Sequence, residues 1–253
     1  VVSWREGRIE SNSNPERISG KNAGMAVRFK TEKDEKVMLK VAISYVSVEQ
    51  ARKNMLAELS GWDFEQVKQS SFSEWNDWLG KIEVEGGSRE QQIKLYTDLW
   101  HALLGRHVVS DADGHYMDMT ADFPRIRQIP LGDEGKPLYN HHNFDAWWGS
   151  HWSLDILWSM AYPEVMDDFC NTMIDMYRNG GLIPRGPSGG NYTYVMIGDP
   201  AASFFASAYN KGIRNYNAEL AYEGLRKNAF VGGIRDHAGY EHGKTAHSGG
   251  MKY

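Results

Sequence analysis

The chain has 253 residues, 41% of them hydrophobic and 24% charged, and a formal net charge of −5. This is globular composition and excludes a disordered chain, while the acidic balance excludes a nucleic-acid surface built on bulk positive charge. A single cysteine, Cys170, excludes an intrachain disulfide, and no apolar run is long enough to span a membrane.

In chain order, Ala26 to Lys30 reads as a short strand. Val37, Leu39, Val41, Ile43 and Tyr45 alternate with Met38, Lys40, Ala42 and Ser44, the period-two pattern of a strand with one more apolar face. Two strands do not bury such a face alone, so the pattern predicts a larger sheet. Ser47-Val48-Glu49-Gln50 is a capping-box sequence, and Gly61 a stop signal. Asp63 is the expected cap of a second helix, with Phe64, Val67, Phe72, Trp75, Trp78 and Leu79 at helical spacing and Gly80 as its end. Lys81 to Glu85 reads as a short strand. Ser88-Arg89-Glu90-Gln91 is a second capping box.

Beyond it the spacing predicts helices over 89–104, 147–161, 164–179, 200–210 and 218–228, with Pro163 and Pro200 at helix starts and Gly180 and Gly212 at stops. Val165, Met166, Phe169, Met173 and Ile174 share a face with Cys170, which predicts a buried, inert thiol. Successive helices without intervening strands imply stacked antiparallel hairpins. Long loops over 105–146, 180–199 and 229–253 then gather at the ends of the stack, where sites are usually built. The chain starts at Val1 in a polar stretch, shows no signal peptide and ends just after Ser248-Gly249-Gly250; it reads as a segment of something longer.

Several ordered segments resemble glycoside hydrolase family 92. Val46-Ser47-Val48-Glu49-Gln50-Ala51-Arg52-Lys53-Asn54 followed by Gly61-Trp62-Asp63-Phe64 is similar to its linker-helix region. Leu95-Tyr96-Thr97-Asp98-Leu99-Trp100, Gly190-Asn191-Tyr192-Thr193, Met196-Ile197-Gly198-Asp199 and Lys211-Gly212-Ile213-Arg214 continue the match in order, from about Val37 to Lys227. The resemblance implies a mainly α chain with an N-terminal β portion: the end of a β-sandwich over 1–46, a helical linker over 47–87, and part of an (α/α)6 catalytic barrel over 88–253.

The family's members are typically exo-acting, inverting α-mannosidases that use a calcium ion at the terminal mannose. Mannose-containing glycans are therefore the implied partners, and a secreted or periplasmic location is implied. Inversion needs a carboxylic acid at the leaving oxygen and a carboxylate activating water, roughly 6.5–9.5 Å apart. The family carries them in Glu-Gly-Asn and Gly-Asn-Asp-Asp motifs. Neither motif occurs here, so the catalytic pair is expected after Tyr253, and residues 1–253 alone are expected to be inactive; the resemblance implies that the calcium ligands too lie outside residues 1–253. The family's Trp-Asp-Thr-aromatic-Arg motif aligns with Trp148 to Trp152, which places Gly149 on an Asp that contacts the terminal sugar and Trp152 on the Arg. Asp145, His151 or Asp155 would have to substitute, or the pocket takes another glycoside. A glycan-binding or catalytically degenerate relative is the alternative. Outside the family, a helical-toroid lyase or phosphorylase is the competing reading.

The densest candidate is Asn143 to Trp152, which combines rings with polar groups at a helix start. Trp147, Trp148 and His151 are its proposed sugar-contacting residues, with Trp148 as the stacking platform; a packed aromatic helix start is the structural alternative. Arg185 and Asn191 lie in a Gly- and Pro-rich loop, which reads either as a ligand loop or as a connection between helices. Asp199 precedes Pro200 and is either a helix cap or a sugar ligand. Asp111-Ala112-Asp113-Gly114 begins like a calcium loop but lacks the Glu at the twelfth position, and it reads as a turn. His237, Glu241, His242 and His247 match no zinc spacing closely and read as a solvated loop or an active-site rim.

Overall fold

The computed structural model describes residues 2–10, 18–105, 107–144, 147–194 and 198–236. The chain divides into two compact units, Val1–Leu39 and Lys40–Tyr253. In the first, β1 (Val2–Arg5), β2 (Arg8–Glu10) and β3 (Gly24–Ala26) form an antiparallel sheet in the order β2-β1-β3. Glu6 and Gly7 turn the first hairpin with φ of 50° and 77°, the left-handed pair that suits the strands' twist. A side chain at Gly24 would meet the Trp4 ring at 2.2 Å, so the glycine lets that ring lie across the sheet.

The expected strand over Ala26 to Lys30 is shifted: only Ala26 belongs to β3. The alternating segment over 37–45 and the segment over 81–85 form no strand. Period-two patterning makes one face apolar but supplies no edge to pair with, and Leu39, Val41 and Ile43 stand exposed.

In the second unit, α1 (Val48–Glu58), α2 (Phe64–Leu79) and α3 (Arg89–Leu104) follow one another. Ser88 and Gln91 form the full reciprocal capping box at α3. At α1 only half of it forms. Ser47 accepts from the Gln50 N–H at 3.1 Å, but the Gln50 carboxamide turns away and donates to Asp113 at 2.8 Å. The expected loop over 105–146 contains β4 (His107–Val108), β5 (His115–Asp118), β6 (Arg125–Gln128) and β7 (His142–Asn143), paired antiparallel as β4-β7 and β5-β6. Strands this short carry little periodicity, so the loop reading is corrected by pairing alone.

The helix expected over 147–161 is broken. A 3-10 turn, Ser150–Trp152, precedes α4 (Leu154–Ala161), and Ser153 at φ −148° separates them. Next come α5 (Pro163–Gly180), α6 (Pro200–Asn210) and α7 (Ala218–Asn228), within a residue of their expected bounds. Proline at the first turn of α5 and α6 sacrifices an N–H that has no helical partner, and Gly181 closes α5 at φ 86°.

The core gathers on α5. Val165, Met166, Phe169, Cys170, Met173 and Ile174 are all buried, as their spacing predicts, and burial drives the Cys170 thiol well above its ordinary range. Phe169 is its aromatic centre. Its ring lies nearly parallel to Trp158 at 5.4 Å and meets Trp147 edge-on at 4.7 Å. Helices α4, α6 and α7 pack around this face, which sets the chain's mainly helical architecture with a small strand region at its N-terminus.

Candidate functional site

The two stretches singled out from sequence meet at the loop end of the helices. The Trp147 N–H donates to the Arg185 carbonyl at 3.0 Å, and the Phe144 N–H to the Pro187 carbonyl at 3.4 Å. The Gly189 N–H donates to Asn143 Oδ1 at 2.5 Å. Gly189 and Gly190 hold φ of 60° and 69°, the left-handed region that glycine adopts freely. At Gly190 a Cβ would stand 3.0 Å from the Met117 carbonyl, so the loop lies hard against β5. Between them opens a hollow of about 420 Å³, lined by Tyr45, Val109, Met117, Met119, Pro124, Asn143, Gly189 and Gly190.

The six candidate side chains do not share that hollow. Trp147 is 0% exposed, its ring stacked on Phe144 at 4.5 Å and close to Phe204 at 4.2 Å. As placed it is a core residue and presents no face to a ligand. Trp148, its neighbour, is 58% exposed, so of the two rings only this one is open to a ligand. His151 is half-buried, its ring 4.4 Å from that of the exposed Trp152.

Arg185 is 0% exposed; its Nε donates to the Gly198 carbonyl at 2.9 Å and an Nη to the Ile234 carbonyl at 2.7 Å. Its guanidinium thus joins three loops rather than reaching outward. Asn191 folds back, its Oδ1 accepting from the Tyr192 N–H at 2.7 Å. Asp199 makes no side-chain cap on α6. Its carboxylate instead lies 3.5 Å from Asn228 Nδ2, and burial raises its pKa against the pull of Asn228, Arg235 and Arg185.

Two features went unread. Asn228 sits fully buried in the last turn of α7, between Asp199 and the Ile183 carbonyl, and nothing in its local sequence marks it. Asp155, weighed only as a substitute for the missing family carboxylate, is 1% exposed, and neither carboxylate oxygen has a hydrogen-bond partner among the described residues. Burial pushes its carboxyl up. The Ser150 hydroxyl, already engaged by the Trp147 carbonyl at 2.9 Å, opposes the rise, as do His151 and Lys211. Gly149 sits at φ −105°, and a Cβ there would meet nothing within 4 Å. Neither backbone nor packing demands a glycine.

The Asp111–Gly114 segment is a turn clamped to α1, not a cation loop. Gly114 N–H donates to the Asp111 carbonyl at 2.8 Å. Asp111 accepts from Ser44 and Asn54, and Asp113 from Gln50, Lys53 and His115. Those carboxylates are already satisfied, and among the described residues no three His, Cys, Asp or Glu side chains converge for a metal. The described residues therefore do not fit the calcium ion that the family resemblance implies, and no chemistry is derived through it. Asp145, Met196, Ile197 and the His237–His247 group lie outside the described residues.

The helices stack at one end on a glycine-bounded loop and an aromatic turn, and known proteins share this fold. The chain is 24% identical to the family GH92 inverting mannosidase of Bacteroides thetaiotaomicron, with a TM-score of 0.63 over 73% of this chain and 24% of that one, a likeness of fold. A family GH92 alpha-mannosidase of the same organism is 26% identical, with a TM-score of 0.64 over 72% of this chain and 23% of that one. An uncharacterized secreted glycosidase of Arthroderma benhamiae is 25% identical over 214 residues, covering 83% of this chain and 22% of that protein.

The glycosyl hydrolase family 92 catalytic domain matches residues 50–252, and the chain belongs to that family. It spans about a quarter of the length of these relatives. Among the described residues no helix is long and apolar enough to cross a membrane.

Proposed function

We propose that this chain contributes the sugar-binding wall of an exo-acting, inverting α-mannosidase that trims mannose from glycans outside the cell or in the periplasm. The observation that carries this reading is the junction of residues 143–152 with residues 184–199, held by the Trp147–Arg185 and Asn143–Gly189 hydrogen bonds, with the exposed Trp148 in the first stretch and Asp199 in the second. Trp148 supplies a ring for the C–H face of a pyranose. Asp199 supplies a carboxylate for its hydroxyls, since it is not engaged in capping. The sugar pocket lies at the end of an (α/α)6 barrel to which α3–α7 belong. The acid, the base and the calcium ligands come from outside residues 1–253. This is supported by the chain matching only about a quarter of its relatives' length. The test is an assay of the full-length protein on aryl α-mannosides and mannobioses, with and without a calcium chelator. Mannose release that chelation abolishes is expected; no release from any of them overturns the reading.

Gly149 favours a second reading, a glycan-binding relative or a glycosidase for another sugar. Because its Cβ position is open and its φ ordinary, the absence of a carboxylate there is not imposed by the fold. Binding of mannosides without turnover by the full-length protein distinguishes it.

A further inference from the structure

Asp199 is held from two directions by buried groups that no ligand contact explains. From the backbone side, the Arg185 Nε donates to the carbonyl of Gly198, the residue just before Asp199, at 2.9 Å. The same guanidinium donates to the Ile234 carbonyl at 2.7 Å, so it ties the Gly198–Asp199 turn to the segment after α7. From the side-chain side, Asn228 Nδ2 donates to the Ile183 carbonyl at 2.8 Å and stands 3.5 Å from Asp199 Oδ1. Both of those neighbours are acceptors, so the carboxamide is oriented with its NH2 towards them. Asn228 Oδ1 has no hydrogen-bond partner among the described residues, and Asn228 and Arg185 are both 0% exposed. Burying these groups is costly, and packing alone would be better served by apolar side chains.

We propose that Arg185 and Asn228 are positioning residues for the Asp199 carboxylate, holding it ready for the vicinal hydroxyls of a sugar, Arg185 through the Gly198 carbonyl and Asn228 through its carboxamide. The proposal rests on the reading of Asp199 as a sugar-contacting residue. It replaces the direct ligand role expected for Arg185 with an indirect one. The Asn228 contact is long at 3.5 Å, and in the proposal ligand hydroxyls that pull Asp199 into register shorten it, as catalytic hydrogen bonds commonly tighten on binding.

The test has a readout that needs no ligand. The Asp199 carboxyl is followed by carbon-13 NMR titration in the full chain, as wild type and as Asn228→Asp, Asn228→Ala and Arg185→Lys, each checked for a native-like melting transition. Removing the Asn228 donor raises the Asp199 titration midpoint by about one pH unit, and Asn228→Asp raises it further, because the introduced carboxylate repels it. Arg185→Lys keeps the charge but loses the fork geometry, and changes the Asp199 chemical shift with little change of midpoint. A folded Asn228→Ala chain with an unmoved midpoint overturns the proposal. Calorimetric titration with α-1,2-mannobiose forms the second arm: Asn228→Asp weakens binding about tenfold at neutral pH and recovers as the pH falls and the new carboxyl gains its proton. If Asp199→Asn binds the disaccharide as wild type does, the sugar-contact reading of Asp199 falls. If Asp199→Asn weakens binding while both Asn228 variants match wild type, positioning alone falls.

Discussion

Asn54 and Asp111 are joined end to end across 57 residues of chain. The Asn54 Nδ2 donates to Asp111 Oδ1 at 2.8 Å, while its Oδ1 accepts from the Ala112 N–H at 2.9 Å. One carboxamide on α1 thereby holds a whole turn of the loop that leads to the candidate site. Asp111 is nearly fully buried, so its second oxygen depends on Ser44, at 2.9 Å. Removing Asn54 strands one oxygen of a buried carboxylate and the Ala112 N–H together. Asn54→Ala is expected to cost about 2–3 kcal/mol of stability, read from the shift of a urea unfolding midpoint. A cost under about 0.5 kcal/mol would mean that water replaces the carboxamide freely.

The neighbouring Asp113 makes the loop sensitive to acid. Burial raises its pKa, but His115, Lys53 and Gln50 together outweigh burial and hold the carboxyl well below the usual carboxylate range. A depressed folded-state pKa stabilises the fold above the unfolded pKa, which is about 3.9, and that stability is lost as the pH falls toward the folded value. The stability gap between wild type and Asp113→Asn is therefore full at pH 7 and narrows progressively below about pH 4. Parallel denaturant melts at pH 7, 5, 4 and 3 check it; a gap that widens on acidification contradicts the assignment.

Gly224 in α7 reverses a familiar rule. A glycine inside a helix normally gains about 1 kcal/mol on replacement by alanine. Here the added Cβ would meet Ile183 Cγ1 at 2.7 Å and Tyr177 Cγ at 3.1 Å, since α5 and α7 touch at this point. Overpacking costs about 1–3 kcal/mol and exceeds the propensity gain. Gly224→Ala should lower the thermal midpoint, whereas a raised midpoint would show that Ile183 moves aside without strain.

Gly149 behaves in the opposite sense. With open space around its Cβ and an ordinary φ, Gly149→Asp is expected to change stability by no more than about 0.5 kcal/mol. Thermal melts of the two chains measure it. A large loss would show that glycine is structurally required there, and would remove the support that Gly149 lends to a glycan-binding relative.

The helices were legible in the sequence because their determinants are local. Apolar residues at helical spacing, Ser47, Asp63 and Ser88 as caps, and Pro163 and Pro200 as starts all act within a turn or two of chain. That the loops over 105–146 and 180–199 come together was expected as well, because both connect helices of one stack. What tertiary structure alone decided was which side chain faces where. Trp147 and Trp148 are identical in sequence terms, yet one lies inside the Phe169 cluster and the other in solvent, because the break before α4 sets their rotation. Gln50 left its capping box for Asp113, which is distant in sequence. Arg185 found its acceptors at Gly198 and Ile234, the latter 49 residues on, and Asn228 found Asp199. A local pattern specifies an element and its apolar face. Pairing between polar groups from distant segments is chosen only when the packed helices bring them within about 3 Å of each other.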